Sequence, residues 1–144
     1  MNKQELVKEK HLHNYNCAQA FLCAYSKELN IAEETLSKLS VGLGRGIGGL
    51  EENCCVPVLL AMLSSYFEGS DTNLENPQSK LESYACAKCM IMDFKEKVGS
   101  LSCKEILLKN IESKGKRDCS DILQIGISIL EECRKEAYAG KISE

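Results

Sequence analysis

Cysteine is the residue type with the most evident chemistry in this sequence, which contains nine cysteines among 144 residues. Four of them directly follow a residue that commonly caps the start of a helix. These pairs are Asn16 with Cys17, Asn53 with Cys54, Ser102 with Cys103, and Asp118 with Cys119. Free amides and the positive end of the dipole at a helix start stabilise a thiolate and so lower the pKa of a cysteine. Because thiolates are nucleophiles and soft metal ligands, these positions predict a redox or metal site.

A glycine-rich segment lies shortly before one of these cysteines. Residues 42–49 read GLGRGIGG, and Cys54 follows. So many glycines disfavour a helix, and the segment is therefore predicted to be a loop. Its backbone amides could hold an anion or donate hydrogen bonds to cluster sulfurs, so we predict cofactor contacts from Gly44, Arg45 and Gly46. The loop contains the spacing GxGxxG, but a helix rather than a strand is predicted before it, which argues against dinucleotide binding.

The elements that must position these residues are all predicted to be helices, because apolar residues recur at helical spacing and no alternating strand pattern competes. The predicted helices cover residues 2–12, 17–29, 32–41, 54–67, 80–98, 103–109 and 119–137. We predict an all-α, single-domain bundle of about five to seven helices over residues 1–144, with the glycine-rich loop before a central buried helix.

Several finer expectations follow from the same patterns. Leu36 and Leu39 are predicted to face inward, and the few charges between Tyr84 and Phe94 predict a central position for their helix. Glycine, proline, asparagine and serine are concentrated in residues 69–79, which predicts a surface connection.

Charge and hydropathy restrict the classes of partner. The net charge is −3 and the pI is near 5.5, so nucleic acid is not an expected partner. The longest apolar run, residues 54–63, is too short to span a bilayer, and the charged first residues do not resemble a signal peptide. We therefore expect a cytoplasmic protein whose thiols stay reduced and free for metal or redox chemistry, with an apolar helix face that could support a homodimer.

The other cysteines divide by position. Cys23, Cys86, Cys89 and Cys133 fall inside predicted helices, where cysteine commonly acts as a small apolar packing residue. Cys86 and Cys89 form a CxxC, but a thioredoxin-like pair would stand at a helix start beside a strand. A second metal position remains the alternative for this pair.

Together, these segments resemble the C_GCAxxG_C_C family of redox-active proteins, which carry four characteristic cysteines and a glycine-rich loop. The matching segments are NCAQAFLCAY at 16–25, GLGRGIGG at 42–49 with Cys54, FKEKVGSLSCKEIL at 94–107, and Cys119. The resemblance covers nearly the whole chain and extends to the non-haem iron portion of split-Soret cytochromes. It implies one shared redox centre. Cys55 and Leu59 are taken to stand where the family has glycines, which adds a fifth thiol.

Three functions are compatible with these observations. The first is electron transfer by a metal or iron–sulfur centre on Cys17, Cys54, Cys103 and Cys119, with Cys55 beside them; [2Fe-2S] and tetrahedral zinc are the candidates. The second is cofactor-free thiol–disulfide chemistry with a redox partner protein or a small thiol. The third is a helical interaction module whose cysteines are structural.

Overall fold

The computed structural model describes residues 1–68, 75 and 77–143, with side chains as far as Lys135. Eight α-helices lie in these ranges: α1 (Lys3–Leu12), α2 (Cys17–Cys23), α3 (Ser26–Leu29), α4 (Glu33–Ser40), α5 (Cys55–Phe67), α6 (Pro77–Val98), α7 (Cys103–Lys114) and α8 (Ser120–Ser143). A 3₁₀ turn, Val41–Leu43, leads into the glycine-rich loop. The described ranges contain no β-strand, and the all-α, single-domain prediction is confirmed. Most of the predicted surface connection falls outside the described residues.

The helix α5 forms the centre of the bundle and packs against α2, α6 and α8. Its apolar side chains are almost completely buried: Val56, Leu59, Leu60 and Leu63 are each at most 1% exposed. Full burial of such a side chain contributes about 1.5 to 3 kcal/mol. The central buried helix expected after the glycine-rich loop is therefore present.

The helix predicted over residues 17–29 is divided in two. α2 ends at Cys23 and α3 begins at Ser26, with Tyr25 at φ −103° between them. The Tyr25 ring is fully buried against Phe21 and Phe67, and its hydroxyl donates to Glu131 at 2.9 Å. Tyr25 thus links this break to the last helix.

Two burial predictions are wrong. α6 lies on the side of the bundle, because only Met90, Phe94 and Val98 of its side chains are buried, and Tyr84 is 66% exposed. In α4, Leu36 is buried whereas Leu39 is 70% exposed. In α6, the scarcity of charged residues therefore does not indicate burial. None of the helices in the described part of the chain combines the length and apolarity needed to cross a membrane.

The last helix approaches the core most closely at Gly126. A methyl group there would lie 2.4 Å from Cγ1 of Val56 and 2.9 Å from Cε2 of Phe21. Ile122 and Ile129 of α8 are both buried. The glycine lets α8 pack directly on α5 and α2, whose first residues belong to the candidate site.

Candidate functional site

Five of the nine cysteines line one cavity of about 310 Å³. They are Cys17, Cys54, Cys55, Cys103 and Cys119, and they come from the starts of α2, α5, α7 and α8. Apolar side chains, from Val56, Ile106, Leu107, Ile122 and Leu123, form much of the remaining wall. Four polar residues and one glycine complete the lining: His11, Asn16, Arg45, Arg117 and Gly46. The structure brings together every cysteine that the sequence analysis placed in the site.

Cys17 is held by a capping box at the start of α2. The Asn16 side chain accepts from the Gln19 amide at 2.9 Å, and the Gln19 side chain accepts from the Asn16 amide at 3.0 Å. The side-chain NH₂ group of Asn16 also donates to the Val41 carbonyl at 3.0 Å. This residue therefore fixes the first turn of α2 and ties it to the segment that enters the glycine-rich loop.

The glycine-rich loop touches the site through two of its three predicted residues. Arg45 and Gly46 line the cavity, whereas Gly44 packs against the side chain of Asn16. Gly46 has φ +73°, and a methyl group on it would lie 2.7 Å from Cβ of Cys103 and 2.6 Å from Cα of Glu51. Only glycine permits this backbone to approach Cys103 so closely.

Backbone hydrogen bonds join the end of the loop to the start of α7. The Cys54 amide donates to the Leu101 carbonyl at 2.8 Å, and the Cys103 amide donates to the Glu52 carbonyl at 2.6 Å. The Lys104 amide donates to the Glu51 carbonyl at 3.2 Å. The first amides of α7 are thus satisfied by loop carbonyls, and the starts of α5 and α7 are fixed beside each other.

Two of the predicted helix starts are shifted by one residue. Cys54 and Cys119 occupy the capping positions themselves, because α5 begins at Cys55 and α8 begins at Ser120. The Asp118 carboxylate accepts from the Ser120 amide at 2.9 Å. Cys17 and Cys103 are the first helical residues, as predicted. All four thiols therefore lie at helix starts, two on capping residues and two on first helical residues.

The closest thiol contact in the cavity joins Cys55 and Cys17. The Sγ atom of Cys55 donates to the Sγ atom of Cys17 across 3.4 Å. This hydrogen bond is the main reason that the pKa of Cys17 is lowered to about 6, despite the opposing effect of burial. The backbone amides of Arg45 and Ala18 also stabilise the Cys17 thiolate. This contact was not foreseen, because the two cysteines are 38 positions apart in the sequence.

The adjacent thiols of α5 titrate in opposite directions. A hydrogen bond from Cys55, aided by the Val56 amide, lowers the pKa of Cys54. The pKa of Cys55 is raised well above its ordinary value by its hydrogen bonds to Cys17 and Cys54 and by burial. Cys55 therefore keeps its proton at neutral pH, beside the Cys17 thiolate and next to Cys54.

The remaining two cavity thiols do not have lowered pKa values. Burial raises the pKa of Cys103 to about 11 and that of Cys119 to about 12, and the negative charges of Cys17 and Cys54 add to both effects. The prediction that a helix start lowers the pKa of all four cysteines is wrong for these two. Desolvation outweighs the helix dipole here.

Charged groups are concentrated at the edge of the cavity. The Glu51 carboxylate lies 3.1 Å from Arg45 and 3.5 Å from Arg117. Both arginines line the cavity, so two cationic side chains lie at its edge. Arg117 is a cavity residue that matches no sequence motif, because it lies in a polar loop. The signal for it in the sequence is its position two residues before Cys119.

The four other cysteines lie outside the cavity lining. Cys23 is 2% exposed and lies 3.6 Å from the Glu33 carbonyl, so its predicted packing role is confirmed. Cys86 and Cys133 are half-buried against the core. Cys89 is exposed, so the packing prediction is wrong for this residue.

A comparison with protein-family models gives a match over residues 15–133 to the family described as "Putative redox-active protein (C_GCAxxG_C_C)". The matched range includes all five cavity cysteines. The searches of curated proteins and of solved structures return no significant match.

The GCAxxG pattern in the family's description can also be placed on the adjacent cysteines in a second register. Four positions separate its cysteine from its final glycine. If Leu59 stands at that glycine, the cysteine of the pattern is Cys55, and Cys54 stands at the first glycine. In this register Cys54, rather than Cys55, is the additional thiol of the chain.

Proposed function

Because this chain belongs to the C_GCAxxG_C_C family of redox-active proteins, we propose that its cysteine-lined cavity holds an iron–sulfur cluster and transfers electrons. The observation that carries the proposal is the convergence of five thiols, from the starts of four helices, on one cavity of about 310 Å³. Four thiolates are the usual ligands of a [2Fe-2S] cluster, which when bound supplies a carrier for one electron.

The spacing of the thiols supports a cluster over a single zinc ion. Zinc holds thiolates at about 2.3 Å, so its tetrahedral ligands lie about 3.8 Å from one another. Among the described side chains, no three cavity thiols lie within 4.8 Å of one another. A [2Fe-2S] cluster distributes its four ligands over two iron atoms, so it accepts thiolates that lie farther apart.

Four of the five thiols are proposed as ligands. Cys17 and Cys55, with sulfurs 3.4 Å apart, have nearly the separation of two ligands on one tetrahedral metal. Cys103 and Cys119 complete the set. Ligation would require Cys55 to release the proton that it holds toward Cys17, as thiols do when they bind metal. Cys54 is left as a neighbouring thiol.

The protein around the ligands would tune the centre. The amides of Arg45 and Ala18 donate to the Cys17 sulfur, and hydrogen bonds to ligand sulfurs raise the potential of an iron–sulfur centre. Arg45 and Arg117 place cationic side chains at the cavity edge and would offset the negative charge of a thiolate-ligated cluster. The apolar wall restricts water.

Anaerobic reconstitution with iron and sulfide tests the proposal. The wild-type chain is expected to bind both elements in equal amounts and to give a paramagnetic signal after one-electron reduction. The double variant Cys103→Ser/Cys119→Ser should lose the iron and the signal while keeping its far-ultraviolet circular dichroism. Cys89→Ser, which changes an exposed cysteine outside the cavity, is the matched control. Absence of bound iron in the wild type, or its retention in the double variant, would refute a cluster in this cavity.

The contact between Cys17 and Cys55 supports a second candidate, which is cofactor-free disulfide reduction. The Cys17 thiolate would attack a small disulfide, forming a mixed disulfide and releasing one thiolate. The Cys55 thiol would then lose its proton and attack the Cys17 sulfur, which releases the second thiol. The two cysteines would be oxidised by two electrons and the small disulfide reduced by two.

Mass spectrometry of the metal-free chain distinguishes this candidate. After incubation with oxidised glutathione, the wild type should lose two hydrogens and form a Cys17–Cys55 disulfide. Cys55→Ser should instead stop at the mixed disulfide with glutathione. A wild type that also stops there would exclude Cys55 as the second thiol of such a reaction.

A further inference from the structure

Three metal-binding side chains meet at a place outside the cysteine cavity. Glu68 caps the C-terminal end of α5, Cys86 lies within α6, and Cys133 lies within α8. A carboxylate oxygen of Glu68 and the two sulfurs all lie within 4.8 Å of one another, and Cys133 donates to Glu68 at 3.4 Å. None of the three lines the cysteine cavity. We propose that Glu68, Cys86 and Cys133 form a second metal site, which binds zinc.

The donor set selects zinc over the common hard cations. Calcium and magnesium prefer oxygen ligands throughout, whereas zinc accepts thiolate and carboxylate together. Ligand atoms at about 2.0 to 2.3 Å from zinc lie about 3.3 to 3.8 Å from one another, so shifts of about 1 Å bring the three atoms to that spacing. Glu68 is exposed and the two cysteines are half-buried, which leaves a fourth position open to water.

The helix faces explain why Cys133, rather than Cys89, accompanies Cys86. Cys86 stands four residues before the buried Met90 on α6, and Cys133 stands four residues after the buried Ile129 on α8. Residues four apart share a helix face, so both thiols lie on faces that pack toward α5. Cys89 is exposed. The CxxC of α6 therefore contributes only its first cysteine to this site.

A packing role alone does not explain the position of Glu68. Packing of two thiols against the core does not require a carboxylate within 3.4 Å of one of them. The neighbouring Arg134 is paired with Glu131 at 3.0 Å. Among the ion pairs of the described residues, none involves Glu68. Its carboxylate is available to a cation brought by the solvent.

Zinc at this place would connect the end of α5 to α6 and α8. The three ligands are separated by 18 and 47 positions in the sequence, so the unfolded chain does not hold them together. Zinc should therefore bind the folded chain preferentially and raise its melting temperature.

Cobalt titration of the full, reduced and metal-free chain tests the site, with zinc used to displace the cobalt. The measurement is made in the Cys103→Ser/Cys119→Ser background, so that the result does not depend on the iron–sulfur proposal. We expect thiolate-to-cobalt charge-transfer bands that reach completion at one equivalent, and an increase in melting temperature with zinc. Adding Cys86→Ser and Cys133→Ser should abolish both effects. Adding Cys89→Ser, the matched control on the same helix, should leave both intact.

A third variant tests the carboxylate. Glu68→Gln keeps both thiols and should retain the charge-transfer bands while weakening cobalt binding at least about tenfold. Circular dichroism establishes that each variant is folded. The proposal is overturned if the background variant gives no thiolate-to-cobalt bands, if the bands persist without Cys86 and Cys133, or if Glu68→Gln binds cobalt as tightly as its parent.

Discussion

The thiol of Cys55 donates a hydrogen bond to the sulfur of Cys17 across 3.4 Å. Contact with the same Cys55 side chain also lowers the pKa of Cys54, while the pKa of Cys55 itself is raised well above its ordinary value. The Cys55 side chain therefore influences how readily Cys17 and Cys54 lose their protons.

Removal of that donor should raise the pKa of Cys17. A hydrogen bond to a charged group contributes about 1.5 to 3 kcal/mol, so Cys55→Ala should shift the pKa of Cys17 upward by about one to two units from its value of about 6. The pH dependence of Cys17 alkylation in the reduced, metal-free chain, followed by peptide mass spectrometry, measures the shift. Cys55→Ser retains a hydroxyl donor and should give a smaller change. An unchanged alkylation profile in Cys55→Ala would contradict the proposed cause.

Single substitutions should also identify which adjacent cysteine is a ligand. Cys54→Ser should retain iron and sulfide after anaerobic reconstitution, because Cys55 has the ligand-like separation of 3.4 Å from Cys17. Cys55→Ser should lose most of the bound iron. The two variants are matched, since both replace sulfur by oxygen at the start of α5. The opposite pattern would assign the ligand to Cys54.

The low pKa of Cys17 should make the stability of the metal-free chain depend on pH. Its folded value of about 6 lies below the value of about 8.5 for a thiol in an unfolded chain. Between these values the unfolded chain binds more protons, so the free energy of unfolding should rise with pH by up to about 1.4 kcal/mol per unit. The stabilisation is lost as the pH falls through 6. Urea denaturation under reducing conditions measures this slope.

Cys17→Ser should reduce that slope, because serine does not titrate in this range, and Cys89→Ser should preserve it. Cys54, whose pKa is also lowered, would contribute the residual slope. A slope in Cys17→Ser equal to that of the wild type would show that Cys17 is not the responsible group.

Local signals in the sequence were sufficient to predict the fold class and the cysteines that line the cavity. The capping box of Asn16 and Gln19 lies within four residues, and it forms as the sequence predicts. Four cysteines were selected because each follows a capping residue, and they line one cavity although two of the helices start one residue later. A one-residue error in a helix start does not matter here, because the starts of α2, α5, α7 and α8 surround the same cavity.

Long-range relationships determine what the sequence could not predict. The pKa values of Cys17 and Cys119 differ because Cys17 receives a hydrogen bond from another helix, whereas Cys119 is desolvated and lies near other negative charges. The exposure of α6 depends on which helices cover it. The contact of Cys133 with Glu68 spans 65 positions. Each of these effects depends on packing between elements, which residue patterns within one element do not encode.

Gly46 should be the most sensitive glycine of the loop. Gly46→Ala places a methyl group at φ +73° and 2.6 to 2.7 Å from Glu51, Glu52 and Cys103. Backbone strain and the clash should together lower the free energy of unfolding by about 3 kcal/mol. Gly48→Ala is a matched control, since it has φ +64° but open space around it. It should cost only about 1 kcal/mol. Equal losses for the two variants in urea denaturation would refute the close approach to Cys103.

Gly126 provides the sharpest test of the packing that holds α8 against the helices of the site. Alanine at an exposed helical glycine stabilises a helix by about 1 kcal/mol, but at Gly126 the new methyl group would lie 2.4 Å from Cγ1 of Val56. We therefore expect Gly126→Ala to lower the free energy of unfolding by about 1 to 3 kcal/mol. Ser128→Ala, at an exposed position of the same helix, should be neutral or slightly stabilising. In a Val56→Ala background, Gly126→Ala should lower the free energy of unfolding by less, because the clashing Cγ1 methyl group of Val56 is absent. The difference between the two backgrounds measures the coupling between α5 and α8.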